Sequence, residues 1–280
     1  MGCTTYRPFI YGTGLENVKI MGHGVIDLSQ LPWHARSGLR LDACKNVEVN
    51  GVTVLNSATW TMTYMYCEDI VIEDCVIFGY RTNSDAYAMC SCKNAVVKNS
   101  FARSGDDLFE VKTYGGGVSE NVLFENNVAW PDNCRGFGIV QETHSDIRNI
   151  TYRDCSLLYQ LKNWSEHMAS YVITAGEPGN ISNILFENCD LFYSEVYALR
   201  FSIGENAESS YKGFDNKITD VTFKNCNFKD GRMKVRNVTK DANGISGIVF
   251  ENFIWAGNKL TAQNPITFDI EGDGCEITYK

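Results

Sequence analysis

The chain has 280 residues, 44% of them hydrophobic and only five of them proline, which suits one large packed domain and argues against disorder. A formal net charge of −9 and a pI of about 5.0 argue against a polyanion-binding surface, so nucleic acid is not an expected partner. No stretch approaches the roughly 18 consecutive apolar residues of a membrane span, so no membrane partner is expected.

The opening residues, MGCTTYRPFIYGTG, have neither a charged start nor a long apolar run and do not read as a signal peptide. Residues 1–17 are expected to cap one end of the domain. From Val18 a single pattern recurs: apolar, variable, apolar, polar, then Gly, Asn or Asp. Copies begin at Val18, Val47, Ile70, Ala95, Val122, Ile150, Ile184, Val221, Ile248 and Ile277, with spacings of 23 to 37 residues. Period-two alternation marks each copy as a strand, with positions one and three inward and position four toward water. The Asn or Asp at position five suits a bend, and stacked amides there can hydrogen-bond from copy to copy. Units this short cannot bury their own apolar face, so they must stack.

The expected fold is therefore all-β, a single-stranded right-handed parallel β-helix of about ten coils, with residues 1–280 forming one domain. Its open ends expose unpaired backbone, so a homo-oligomer joined through those ends is expected. The widest spacings contain Gln160 to Ser170 and Glu205 to Asn216, read as loops flanking a groove. Of the eleven cysteines, Cys75, Cys155, Cys189 and Cys226 each follow Asn or Asp at the end of a strand-like run. Such a column reads as buried, reduced thiols, which points to a cytoplasmic location unless a leader has been removed. Cys90 and Cys92 are too close together, without partners, to make a metal site.

The stretch from Asn83 to Lys112 carries the chemistry. Asp85, Asp106 and Asp107 are spaced close to one coil, so stacking should bring Asp85 beside the pair. Like charges at that distance raise at least one pKa, which yields one carboxylic acid beside one or two carboxylates near neutral pH. Glycoside hydrolysis needs that division, since one group protonates the leaving oxygen and another activates water. Either aspartate motif alone fits an ordinary turn, and clustered carboxylates also suit calcium.

Several motifs carry a family resemblance. They are Arg7 to Ile10 with Val18 to Asp27, Asn56-Ser57 with Trp60-Thr61 and Cys67, Asn83-Ser84-Asp85, Gly105-Asp106-Asp107 and Lys112. Together the chain resembles the polygalacturonase-like glycoside hydrolases, family 28, and more distantly the dextranase and isopullulanase group, family 49. The resemblance implies an inverting, single-displacement hydrolase acting on a carbohydrate, with Asp106 as general acid and Asp85 and Asp107 activating water. It implies no metal or organic cofactor. Two departures stand out. The family's Gly-His-Gly appears as Gly136-Phe137-Gly138, and its Arg-Ile-Lys, which contacts a uronate carboxylate, aligns with Val172-Ile173-Thr174. With those cations missing, a neutral glycan is expected ahead of pectin. Lys112, Arg135, Glu142, His144, Trp130, Tyr114 and Arg200 are the candidate substrate contacts. Two alternatives stand beside hydrolysis: a carbohydrate-binding or structural β-helix with impaired catalysis, and a calcium-dependent, pectate-lyase-like eliminase.

Overall fold

The computed structural model describes residues 7–161, 168–203, 215–237, 244–272 and 275–280. Three sheets of ten strands each run the length of the molecule. The first sheet begins with Arg7–Thr13, the second with Glu16–Met21 and the third with Val25–Asp27. Each turn of chain adds one strand to each sheet, and successive strands pair in parallel, except at the end of the third sheet, where Asn258–Lys259 folds back antiparallel on Ile254–Trp255. Arg7–Thr13 and Glu16–Met21 are thus paired members of the stack, so residues 7–17 are its first coil and not a cover over it; residues 1–6 lie outside the described residues.

The ten recurring copies are the strands of the second sheet. Their first positions stand in one register, from Val18 beside Val47 through to Ile248 beside Ile277. Position three forms an aromatic stack inside. Phe124, Tyr152, Phe186 and Phe223 follow one another with ring centroids 4.8, 4.8 and 4.5 Å apart. Such contacts add about 0.5–1.5 kcal/mol per pair beyond the area they bury.

A two-residue corner joins the second sheet to the third in eight successive coils, from Gly51-Val52 to Asn252-Phe253. The first corner residue is left-handed every time, as at Asn99, Asn126 and Asn188 with φ of 53°, 52° and 55°. Asn tolerates that conformation, and its amide reaches the next coil: Asn126 Nδ2 donates to Asn99 Oδ1 at 2.8 Å, and Asn188 Nδ2 to Asp154 Oδ1 at 2.8 Å. The second corner residue points inside, and Cys75, Cys155, Cys189 and Cys226 occupy it as buried, unbridged thiols. A further amide ladder precedes the copies, with Asn94, Asn121, Asn149 and Asn183 linked at 2.8–3.0 Å.

Candidate active site

The site lies on the outer face of the first sheet and in the turns that lead into it from the third. Along that sheet Tyr87, Phe109, Phe137 and Tyr171 stack inward, with centroids 4.9, 5.1 and 5.5 Å apart. The residues alternating with them, Ala88, Glu110, Gly138 and Val172, face outward in register. A rigid aromatic column therefore underlies the floor of the site. Phe137, at the position matched to the family's histidine, belongs to that column and is fully buried.

Asp85 enters from the turn before strand Tyr87–Cys90, and Asp106 and Asp107 from the turn before Phe109–Thr113. Gly105 lets these turns approach each other, because a Cβ there would sit 2.5 Å from Arg81 O. Asp106 accepts hydrogen bonds from the backbone N–H of Asn83 at 2.8 Å and of Asp107 at 3.0 Å. Asp107 accepts from the Arg135 backbone N–H at 3.1 Å and from its guanidinium at 2.8 Å. Lys112 Nζ lies 3.3 Å from Asp85 and 3.1 Å from Glu110, under the Trp60 ring at 4.2 Å. One oxygen each of Asp85, Asp107 and Glu110 falls within 4.8 Å of the others. These oxygens could hold a cation, as could Asp106 and Asp107 with the Cys134 sulfur, and the Lys112 ammonium already supplies positive charge beside Asp85 and Glu110.

Burial dominates the electrostatics. It pushes Asp85 well above the usual carboxylate range, helped by the charges of Asp106 and Glu110. Burial, then the Asp107 charge, raises Asp106. Burial raises Glu110 to about 8 against the pull of Lys112. The cause is visible on either side along the floor. Trp60, Met65, Ala88 and Cys90 pack against Tyr114 on one flank, and Val140, Ala169 and Val172 pack against Tyr197 on the other. Asp106 is only half-buried, whereas Asp85, Asp107 and Glu110 are buried. That suits Asp106 to meet a substrate oxygen.

The structure brings Asp85, Asp106 and Asp107 together as the coil spacing predicts, with Lys112 between Asp85 and Glu110. Arg135 belongs to the cluster as the partner of Asp107, so its guanidinium braces a carboxylate where a substrate contact was expected. Tyr114, Glu142 and His144 form one group at the edge. The Tyr114 hydroxyl donates to Glu142 at 2.8 Å, and its ring centre lies 5.8 Å from that of His144. Trp130 stands apart on the outer face of the third sheet, under Arg103 at 4.4 Å and 5.5 Å from Tyr159. Arg200 faces outward three register steps from Glu110, about 14 Å along the axis. Residues 162–167 and 204–214, within the two expected flanking loops, lie outside the described residues.

Glu110 and Trp60 are the members whose place in the cluster sequence reasoning missed. An acid inside the apolar run Leu108-Phe109-Glu110-Val111 was the available signal for the first.

Comparison with known proteins agrees with this arrangement. The family model described as "Glycosyl hydrolases family 28" matches residues 4–200. The Aspergillus flavus protein named "Probable exopolygalacturonase B" is 26% identical over 242 residues, covering 77% of this chain and 53% of its own length. The chain spans about half the length of the first curated relatives it matches. Among solved structures, an exopolygalacturonase from Thermotoga maritima superposes with a TM-score of 0.74 at 18% identity, over 90% of this chain and 72% of that one. Dex49A from Penicillium minioluteum gives 0.61 at 14% identity, over 97% and 52%. At these identities the structural likeness speaks for the fold, a right-handed parallel β-helix. With more than half its length matched by the family model, and with both aspartate motifs stacked on adjacent coils, the chain belongs to glycosyl hydrolases family 28.

Proposed function

We propose that the protein hydrolyses glycosidic bonds in an acidic, galacturonide-type glycan by a single displacement. The observation that carries the reading is the buried acid cluster, in which one half-exposed carboxyl stands beside carboxyls braced by Arg135 and Lys112. Asp106 protonates the leaving oxygen. Asp85 and Asp107 hold and activate the water. Asp106 and Asp107 have oxygens within 4.8 Å of each other, closer than the separation of about 6.5–9.5 Å usual for an inverting acid–base pair. The inverting outcome therefore rests on the likeness of the aspartate motifs to family 28, and the anomeric form of the product tests it.

The preference for a neutral glycan rested on Val172 and Thr174. Both face outward, and their columns continue with Arg200 and Ser202 on the next coil and with Lys234 and Arg236 on the one after. Positive charge thus stands on the same face one and two coils further along, buried at Arg200 and Lys234 and partly exposed at Arg236. Basic side chains there suit a polymer bearing carboxylates. The curated relatives named exopolygalacturonases support the same class.

The test compares polygalacturonate with dextran and pullulan at low ionic strength, reading the anomeric form of early products by NMR. Preferential cleavage of polygalacturonate with inverted product is expected. Asp106→Asn should lower the rate by about 10²–10⁴-fold with the fold intact, as for a lost general acid, and Arg200→Ala should weaken polygalacturonate selectively. Preferential cleavage of a neutral glucan returns the substrate to the dextranase type. Near wild-type turnover in Asp106→Asn removes the mechanism.

A further inference from the structure

Four carboxyl groups and two cations meet in the cluster. Arg135 is paired with Asp107, and Lys112 is paired with both Asp85 and Glu110. Two positive charges balance two carboxylates, and a buried site does not keep the other two groups charged near neutrality. One retained proton belongs to Asp106 as the acid. The second falls to Asp85 or Glu110, which share one ammonium. Each has an oxygen suited to carry it: Asp85 Oδ1 and Glu110 Oε1 are buried without a hydrogen-bond partner. Glu110 is displaced upward to about 8, and Asp85 is displaced in the same direction.

The groups around Glu110 are few. Asp85 faces it from the preceding coil, Asp106 and Asp107 from the turn before its own strand, and Lys112 from the same strand. Arg135 stands behind Asp107, and Glu142 acts on Lys112 from the following coil. Beneath lies the Tyr152 hydroxyl, which donates to Gly138 O at 2.9 Å. Of these, Lys112 alone touches both Asp85 and Glu110 with opposite charge.

We infer that Glu110 is a positioning residue of the site: it takes the proton that leaves Asp85 ionised, and through Lys112 it holds Asp85 in the state that activates water. When Glu110 is protonated, the ammonium serves Asp85. When Glu110 ionises, the two acids compete for it.

The kinetic test rests on the hydrolase reading, and the thermal test does not. In Glu110→Gln, whose amide is permanently neutral, Lys112 belongs to Asp85 at every pH. Glu110 is already protonated through the acid limb of kcat/KM, so that limb should stay in place, and the part of the alkaline fall that comes from Glu110 ionising near pH 8 should disappear. A uniform loss at all pH values with the alkaline limb unmoved would make Glu110 a structural anchor for Lys112 and overturn the inference.

The thermal arm follows from linkage. Glu110 titrates near 4.5 unfolded and near 8 folded, so the folded protein binds the extra proton between them and stability falls as pH rises through that window. The fall in Tm from pH 4.5 to 8 should shrink in Glu110→Gln. It should also shrink in Asp85→Asn, where Lys112 serves Glu110 alone. The double variant should shrink it no further than either single change, because one shared proton is removed once. Additive shrinkage marks two independent acids and overturns the inference, whether or not any substrate is cleaved. Should Glu110→Gln fail to fold, the Asp85→Asn profile carries the test, and an unchanged fall there has the same adverse meaning.

Discussion

Asp107 and Arg135 meet as a buried ion pair, with side chains 3% and 5% exposed, so removing one partner strands the other. Breaking such a pair costs about 3–5 kcal/mol, more than the pair contributes over a neutral replacement. Arg135→Gln should therefore lower the thermal midpoint sharply, and Asp107→Asn in the same chain should recover most of that loss. A double variant no more stable than Arg135→Gln would show that the pair is not what the guanidinium stabilises. At this scale the sequence was informative where spacing carried the message. Asp85, Asp106 and Asp107 lie close to one coil apart, and stacking converts that distance into contact. Arg135 and Glu110 were harder to assign. Whether a basic side chain meets a substrate or a neighbouring carboxylate depends on the depth of the turn, which spacing does not encode. The position matched to the family's histidine shows the same limit, since alternation along its strand sends Phe137 into the core.

The three sheets differed in how legible they were, for a physical reason. Strands of the second sheet are buried on one face and wet on the other, as in the alternating exposure of Ile181–Glu187, so period two is written into their sequence. Strands in the middle of the first sheet are covered on both faces, unlike the largely exposed Arg7–Thr13 at its start. Phe109–Thr113 and Ala169–Ala175 are buried at every residue, and alternation vanishes from their sequence. Strands of the third sheet are often only three residues long, as in Thr53–Leu55, too short for any period. The corner between the second and third sheets yields a graded prediction. Asn127 is buried, accepting from the Ser100 N–H at 2.9 Å and donating to Val97 O at 2.8 Å. Asn127→Ala leaves both groups unpaired, at about 1–3 kcal/mol each. Asn126 is exposed and left-handed, so Asn126→Ala should cost less, through strain and one ladder bond, and Asn126→Gly less still. Urea denaturation should rank the three in that order. A larger loss in Asn126→Ala than in Asn127→Ala would place the strength of the corner in its outer amide.

At the scale of the molecule, the acid cluster sits on the fourth and fifth of the ten strands of the first sheet, with paired strands on both sides. The aromatic columns beneath it start at Tyr87 and Phe124 and continue toward the C-terminal coils, while Met62 and Val97 take the same inward positions on the other side, so the floor is fixed by neighbours it never touches. The constant corner between the second and third sheets bears on how such a chain can change. Coil lengths vary from 23 to 37 residues, yet that corner holds at two residues through eight coils. The variation therefore falls in the strands and in the other two edges of the prism, one of which carries the turns of the acid cluster. A glycine inserted between Asn126 and Asn127 should collapse the thermal midpoint. The same insertion after the exposed Gly116, in the turn between the first and second sheets, should cost only the small entropy of a longer loop, of the order of 0.6 kcal/mol or less. Equal losses at the two sites would refute the distinction. The closed edge works as a spine that keeps count of the coils, and the open edges are where a lineage can lengthen loops and rewrite recognition without disturbing that count.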